Sequence, residues 1–336
     1  MRRKVIVFDN YMSLEMRYIS PHVFLFWLVV DVLRKRDGIE VLPLMVEEME
    51  KRSFSGDVVS DVFILTYAGA RMPWKVCQRY FENTGRVVCV YNEYEIILST
   101  MRVFDGDVPV YLLTNVSPKL LELKDFKGKD KIVRYECMNL NVLKYRGNLE
   151  DKVRGSFVKR PLIYWGGSVR KGRVKYFKKY LNDERIVFSV SKKQVPRYRD
   201  LGIDRCSFVD TVDWGYSRKT GVYLTDYEAT IYLEDELTHE VWNYPANRFY
   251  EALEYGLGVF FAEECGNTVR KMREMGYVID DWWVVGSVDE MFRKLTSLEF
   301  KERRREFLEV NRKVAEEERE REMRRFEKLL LDMVGV

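Results

Sequence analysis

The chain of 336 residues has little histidine and no organised cysteine. It contains two histidines and five cysteines, and no CxxC pair occurs among the cysteines. So few histidines argue against a Ser–His–Asp triad and against a metal centre built from several histidines. An odd number of widely spaced cysteines predicts neither a zinc site nor a disulfide framework, and it fits a reducing compartment.

An apolar run long enough to cross a membrane is also missing. The stretch from Val23 to Leu33 is too short to span a bilayer, and it carries Asp31. The first residues, MRRKVIVFDNY, have no small-residue cleavage site after their short apolar run, so they predict a first strand rather than a signal peptide. We therefore expect a cytoplasmic protein without a membrane span.

Neither sign of charge dominates the composition. Lys and Arg number 57 against 53 for Asp and Glu, which leaves a formal net charge of +4. This surplus is too small to indicate nucleic-acid binding by itself. The two signs are mostly mixed along the chain, which is typical of a solvated surface.

Short β-branched runs alternate with amphipathic stretches, a pattern typical of a parallel sheet covered by helices. The pattern starts again at Pro161, after the polar stretch Lys144–Lys159, which we interpret as a linker. We therefore predict an α/β protein with two Rossmann-like domains, residues 1–150 and 160–297, and a cleft between them. In open sheets of this kind, ligands bind beyond the carboxyl ends of the strands.

The predicted strands are short apolar runs bounded by turn residues. In the first domain they are Lys4–Phe8, Ile39–Leu44, Asp61–Tyr67, Arg86–Tyr91, Pro109–Leu113 and Lys131–Tyr135. In the second domain they are Leu162–Trp165, Arg185–Val190, Ser207–Val212, Ala229–Leu233, Gly258–Ala262 and Trp282–Val285. The predicted helices are Pro21–Arg36, Pro73–Asn83, Lys171–Leu181, Val195–Leu201, Pro245–Tyr255 and Thr268–Met275.

The last residues, 298–336, predict one long charged helix. It has two thin apolar stripes, which comprise Phe307, Val310 and Val314 and then Phe326, Leu329, Leu330 and Met333. A surface that binds nucleic acid is the alternative, but acidic residues such as Glu316–Glu318 would repel phosphate. We expect the helix to pack back on the body of the protein with a solvated outer face.

A polar cluster stands at the start of one predicted helix, in the stretch NYPANRFYEALEYGLGVFF. On a helical wheel at about 100° per residue, Asn247, Arg248 and Glu251 fall in one arc. Pro245 suits the first turn, and Asn243 can cap a helix whose free N–H groups would face an anion. The core face on the opposite side comprises Phe249, Ala252, Leu253 and Gly256.

Two interpretations of Arg248 and Glu251 are open. As a surface ion pair three residues apart they would contribute only about 0.3 kcal/mol. The surrounding pattern favours a nucleotide site, because a buried strand leads through the acidic turn EDELTHE to this helix and then to another buried strand. In such a site the arginine binds phosphate and the glutamate accepts hydrogen bonds from ribose hydroxyls.

The segment PANRFYEALEYGLGVFF resembles the nucleotide-sugar segment of glycosyltransferases with the GT-B architecture, which have two facing Rossmann-like domains. The match to their R-[FY]-x-E-A-x-x-x-G helix covers Arg248, Glu251, Ala252 and Gly256. The resemblance implies that Glu251 contacts the donor ribose, as in the retaining members of the class. Many of those members carry a second glutamate eight residues earlier, where this chain has Asn243.

A second segment, IYWGGSVRKGRVKYFKKYL, opens the second domain. It resembles the strand, glycine loop and basic helix that open the donor domain of the same enzymes. Gly166 and Gly167 allow close approach of the backbone to a ligand. The resemblance places Arg170, Lys171 and Arg173 near the cleft, where their charges can neutralise a diphosphate.

A third segment, VVCVYNEYEI, ends a first-domain strand with Asn92 and Glu93. Together with the helix described above, it resembles phage and viral proteins that are grouped with glycosyltransferases. Some relatives of that broad class glycosylate hydroxymethylated pyrimidines in viral DNA. The resemblance therefore suggests modified DNA as the acceptor and a host cytoplasm as the location.

Two weaker signals remain. His239 lies in the acidic turn, where a catalytic role near the sugar is one interpretation. Asp105 and Asp107 form the DxD pattern with which GT-A glycosyltransferases hold a metal, but DGD is also an ordinary turn before a strand. We interpret it as a turn, and we expect no metal at the site.

These observations predict sugar transfer from a UDP-type donor, bound by the second domain, to a hydroxyl of an acceptor bound by the first. Arg248 and Lys171 would stabilise the charge on the leaving diphosphate, and Asn247 would line the donor site. The resemblance implies retention; inversion would need a base on the acceptor side, for which Asp9, Glu15 and Glu93 are candidates. The alternatives are a non-catalytic nucleotide- or glycan-binding protein, a glycosyltransferase for polysaccharide or protein, and a nucleotide-sugar epimerase.

Overall fold

The computed structural model describes thirteen stretches of the chain, which together hold two compact units. The first unit comprises Met1–Lys144 with Arg321–Val336, and the second comprises Tyr145–Glu320. The described residues are 3–8, 21–55, 59–66, 74–91, 94–104, 107–119, 129–150, 159–166, 177–190, 194–203, 209–210, 224–233 and 244–336.

The first unit contains a six-stranded sheet in which every neighbouring pair of strands is parallel. Its strands are β1 (Arg3–Phe8), β2 (Ile39–Leu44), β3 (Val62–Leu65), β4 (Val87–Tyr91), β5 (Val110–Thr114) and β6 (Ile132–Cys137). Its helices are α1 (Pro21–Arg34), α2 (Val46–Ser55), α3 (Trp74–Glu82) and α4 (Tyr94–Val103). The strand order is β2-β1-β3-β4-β5-β6.

The core of the first unit explains why its central strands are apolar throughout. All residues of β3 and β4 are buried, as expected for parallel strands covered on both faces. Helix α1 packs its apolar residues into the same core. The end of the chain joins this core through Phe326, Leu329, Leu330 and Met333, which are buried as their stripe predicts.

The second unit contains another six-stranded parallel sheet, with the order β12-β11-β10-β7-β8-β9. Its strands are β7 (Arg160–Gly166), β8 (Val187–Val190), β9 (Val209–Asp210), β10 (Tyr227–Tyr232), β11 (Gly258–Ala262) and β12 (Val284–Val285). Its helices are α5 (Phe177–Leu181), α6 (Val195–Asp200), α7 (Asn247–Glu254), α8 (Gly266–Glu274), α9 (Val288–Leu295) and the first part of α10 (Phe300–Val334).

The strand order of the second sheet fixes where a ligand is expected. Counted along the chain, its order is that of the dinucleotide-binding Rossmann fold, which grows outward in both directions from its first strand. Here the direction reverses between β7 and β10, which pair through Ala229 and Leu162 and through Thr230 and Ile163. The carboxyl ends of these two strands are therefore the topological switch point, where such folds bind ligands.

The predicted strands are confirmed within the described residues, where most ends shift by one to three residues; of Ser207–Val212 only Val209–Asp210 is described. Three helices that the pattern did not predict, α2, α4 and α9, follow β2, β4 and β12. The predicted strand Trp282–Val285 is wrong at its start, because Asp281–Trp283 forms a turn of 3₁₀ helix and only Val284–Val285 pairs. Among the described residues, no helix combines the length and apolar character that crossing a membrane requires.

The exposure of two residues in the charged tail differs from the prediction. Val310, assigned to an apolar stripe, is 41% exposed, whereas Glu318, assigned to the solvated acidic face, is 3% exposed. The stretch interpreted as a linker begins with two buried residues, Lys144 and Tyr145, and the chain divides into its two units between them. Glu318 and Tyr145 are buried against tyrosines that lie far away in sequence, so local polarity could not reveal their burial.

Candidate functional site

Helix α7 begins at the switch point of the second sheet. The backbone N–H of Ala246, the N-cap residue, donates to the hydroxyl of Tyr232 at 3.1 Å, and Tyr232 is the last residue of β10. The helix starts at Asn247, so the expectation that Pro245 forms its first turn is wrong. Ala246 provides no side-chain cap, and Asn243, the predicted cap, lies outside the described residues.

Arg248 connects α7 to the neighbouring strand at this switch point. Its Nη1 donates to the hydroxyl of Tyr164 on β7 at 2.9 Å, and its guanidinium carbon lies 5.1 Å from the centroid of the same ring. The tyrosine thus contacts the guanidinium by a hydrogen bond and by a cation–π interaction. Arg248 is only 9% exposed, so its charge is held in a defined place beside the carboxyl end of β7.

Glu251 lies one turn further along α7 and is 7% exposed. Residues three positions apart lie on the same side of a helix, so Arg248 and Glu251 share one face. The burial of both contradicts the interpretation as a solvated surface pair, and it also corrects the helical wheel, which placed them away from the core. Burying charged groups is costly unless they are paired or hydrogen-bonded, and such groups are frequent at functional sites.

The carboxyl end of α7 is held by an ion pair between the buried Glu254 and the partly exposed Arg146. The carboxylate of Glu254 accepts from the Arg146 side chain at 2.9 Å and from the Arg146 backbone N–H at 2.6 Å. The backbone N–H groups of Leu149 and Glu150 donate to the Glu254 carbonyl at 2.8 and 3.1 Å. Burial raises the pKa of the Glu254 carboxyl and outweighs the lowering by Arg146. The chain from 146 to 150 is therefore bound to this helix.

Glu150 extends this network to the C-terminal helix. Its carboxylate forms ion pairs with Lys159 at 2.9 Å, Arg304 at 2.7 Å and Arg312 at 3.1 Å. Burial alone would raise the pKa of Glu150, but the hydrogen bonds and charges of these three cations lower it. Sequence reasoning missed this residue because its partners are up to 162 positions away.

The structure places only some of the predicted site residues. Gly166 ends β7, and Asn247 begins α7, so both lie with Arg248 and Glu251 in the second unit, near the switch point. The other predicted residues lie outside the described part of the chain: Glu93, Gly167, Arg170, Lys171, Arg173 and His239. Of the DxD pattern only Asp107 is described, and the described residues contain no group of three His, Cys, Asp or Glu that could hold a metal ion.

Two α/β units, each with a parallel sheet of the strand order given above, and a long C-terminal helix define a fold of GT-B type, as predicted. Among solved structures, the chain is similar to those of T4 phage β-glucosyltransferase. The DNA-modifying enzyme β-glucosyltransferase, with and without its substrate uridine diphosphoglucose, matches with a TM-score of 0.66 at 12% identity, over 99% of this chain and 100% of that one.

Two liganded structures of the T4 phage enzyme show the same likeness. Its complex with UDP-glucose covers 100% of both chains with a TM-score of 0.61 at 11% identity. Its complex with UDP and Mn²⁺ covers 99% of this chain and 100% of that chain with a TM-score of 0.65 at 11% identity. No family model and no curated protein sequence matches the chain. At identities this low, the comparison establishes the fold.

Proposed function

We propose that the protein transfers a sugar from a UDP-sugar, with glucose as the first candidate, to a hydroxyl group on a modified base of DNA. One observation carries the proposal: a buried arginine and a buried glutamate share a face of the helix that begins at the topological switch point of a Rossmann-type sheet. The whole-chain likeness to structures that hold UDP or UDP-glucose supports the donor class. The DNA-modifying neighbour supports the acceptor class.

In this proposal the second unit binds the donor. The guanidinium of Arg248 and the positive N-terminal end of α7 bind the diphosphate, while Glu251 accepts from the ribose hydroxyls. Asn247 lines the same helix start. The glycine loop at Gly166 and Gly167 approaches the nucleotide closely, as its sequence predicts.

The main chemical requirement is to stabilise the negative charge that develops on the leaving group. As the glycosidic bond breaks, its electron pair moves to the diphosphate, whose added negative charge is stabilised by Arg248 and the basic segment containing Arg170, Lys171 and Arg173. These cations can supply the neutralisation without a protein-bound metal. His239 is our candidate for a contact near the sugar.

The stereochemical outcome decides the role of Glu93. The helix motif implies retention, for which the acceptor side needs no general base, whereas the neighbours of the same fold are named β-glucosyltransferases. From an α-linked UDP-sugar, an α-glycoside means retention and a β-glycoside means inversion. Inversion requires a base that takes the acceptor proton, and Glu93 is a candidate for that base beside Asp9 and Glu15. The anomeric proton coupling in the NMR spectrum of the product distinguishes the two.

The proposal predicts transfer of radiolabel from UDP-glucose to duplex DNA that contains 5-hydroxymethylcytosine. The matched control is the same duplex with unmodified cytosine, which lacks the acceptor hydroxyl and should stay unlabelled. We expect activity to survive EDTA, because side chains supply the positive charge; complete loss with recovery in Mn²⁺ would contradict that part. UDP binding without label in any DNA would contradict the DNA acceptor, and no binding of UDP would contradict the donor class.

Replacing Glu251 with glutamine should raise the KM for UDP-glucose by about tenfold and change kcat little, because the ribose hydroxyls lose a charged acceptor that they use throughout the reaction. The variant is close to isosteric, so the helix should remain folded. Glu274→Gln is the control, because the Glu274 side chain is 60% exposed on α8 of the same unit. Equal KM values for Glu251→Gln and the wild type would remove the ribose role.

A further inference from the structure

Glu318 is a buried carboxylate that reaches the donor-binding helix from the C-terminal helix. It lies on α10, is 3% exposed and accepts hydrogen bonds at Oε2 from two hydroxyl groups. One belongs to Tyr277, and the other, at 3.3 Å, belongs to Tyr250 of α7. Tyr250 stands directly before Glu251 and two residues after Arg248.

Aromatic packing confines the two tyrosines that Glu318 holds. The Tyr277 ring meets Phe249 edge-on, with centroids 5.0 Å apart and planes at 90°, and lies 6.4 Å from the Tyr250 ring. The Tyr145 ring also lies 6.4 Å from the Tyr250 ring, between centroids. Burial and the charge of Glu318 raise the pKa of the Tyr277 hydroxyl, which stays a neutral donor. Because burying a carboxylate is costly without such donors, the two hydroxyls and the Glu318 carboxylate are held in one arrangement.

We propose that Glu318 is a positioning residue for the donor site: through the Tyr250 hydroxyl it sets the rotation of α7 and thereby the placement of Arg248 and Glu251. This role rests on the proposed function of that helix. α7 spans only eight residues, so it moves as one body. A rotation that released Tyr250 would also displace the flanking charged groups, and small displacements of positioned groups weaken binding.

The test measures UDP affinity by isothermal titration calorimetry on the full chain, well below the melting temperature of each variant. Glu318→Leu removes the acceptor and should raise the Kd for UDP by about tenfold. Glu318→Gln keeps a carbonyl acceptor and should restore the Kd to within about threefold of the wild type. Glu322→Leu is the matched control on the same helix, since Glu322 is 7% exposed, accepts from the Asn139 N–H and belongs to the first unit.

The control should leave the Kd for UDP unchanged even if it lowers the melting temperature. Tyr250→Phe alone should also weaken UDP binding, and the double variant with Glu318→Leu should bind no more weakly than Glu318→Leu itself, because both changes break the same link. Tyr250→Phe carries the test if Glu318→Leu does not fold.

Three results would overturn the positioning role alone: an unchanged Kd in Glu318→Leu or in Tyr250→Phe, equal weakening by Glu322→Leu, or additive effects in the double variant. They require a wild-type protein that binds UDP. A wild-type protein that binds no UDP would instead overturn the proposed function, and the positioning role with it.

Discussion

Replacing Arg248 with leucine should lower kcat/KM for UDP-glucose by about 10²- to 10³-fold while the chain stays folded. The guanidinium is already oriented by Tyr164, through a hydrogen bond of 2.9 Å and a ring contact of 5.1 Å. A charge fixed before the reaction, in a buried position, stabilises a developing diphosphate far more than a solvated charge does. Steady-state kinetics with labelled UDP-glucose measure the loss.

Arg270→Leu is the matched control for this experiment. The Arg270 side chain is 60% exposed on α8 of the same unit and pairs with Glu274, so we expect unchanged kinetics. Arg248→Lys should fall between the wild type and Arg248→Leu, because it keeps the charge and loses the planar fork that matches phosphate oxygens. Wild-type kcat/KM in a folded Arg248→Leu variant would exclude Arg248 from the donor site.

The fold could be predicted from the sequence because its signal is local and repeated. Strands such as Val87–Tyr91 and Gly258–Ala262 are apolar on both faces, which only a sheet covered on both sides explains. Helix α2 was missed because its sequence, VEEMEKRSFS, is short and mostly polar, so the spacing of its few apolar residues indicates little. The order of strands within each sheet is a tertiary property that no single segment encodes.

The candidate site could be predicted only in part. The local sequence shows which residues form the site, but the residues that cover and orient them are distant in sequence. The sequence marked Arg248 and Glu251 as residues of one helix face, and the structure keeps them together. Their burial depends on partners such as Tyr164, which lies 84 positions from Arg248. A helical wheel treats the polar face as solvated because it contains no information about the element that covers that face.

Replacing Gly256 with alanine should reduce the free energy of unfolding by at least about 3 kcal/mol. Gly256 follows the last turn of α7 at a φ of +74°, in a Schellman ending where Leu257 N–H donates to the Ala252 carbonyl at 2.9 Å. An alanine would be strained there, and its Cβ would overlap the Glu150 carboxylate. Gly256, the motif glycine that the wheel assigned to the core face, is thus required because the helix ends there in a left-handed backbone conformation. Urea unfolding followed by tryptophan fluorescence measures the change.

A second substitution separates the strain from the overlap. The Glu150 carboxylate cannot move aside freely, because three cations hold it. In a Glu150→Ala background the overlap is gone, so Gly256→Ala should cost only about 1–2 kcal/mol, the strain of the left-handed backbone. Gly266→Ala is the matched control, since Gly266 has a helical φ of −55° and an added Cβ meets nothing within 4 Å, so its stability should not fall. Equal costs of Gly256→Ala in both backgrounds would show that the glycine is needed for its backbone conformation alone and that the carboxylate beside it yields.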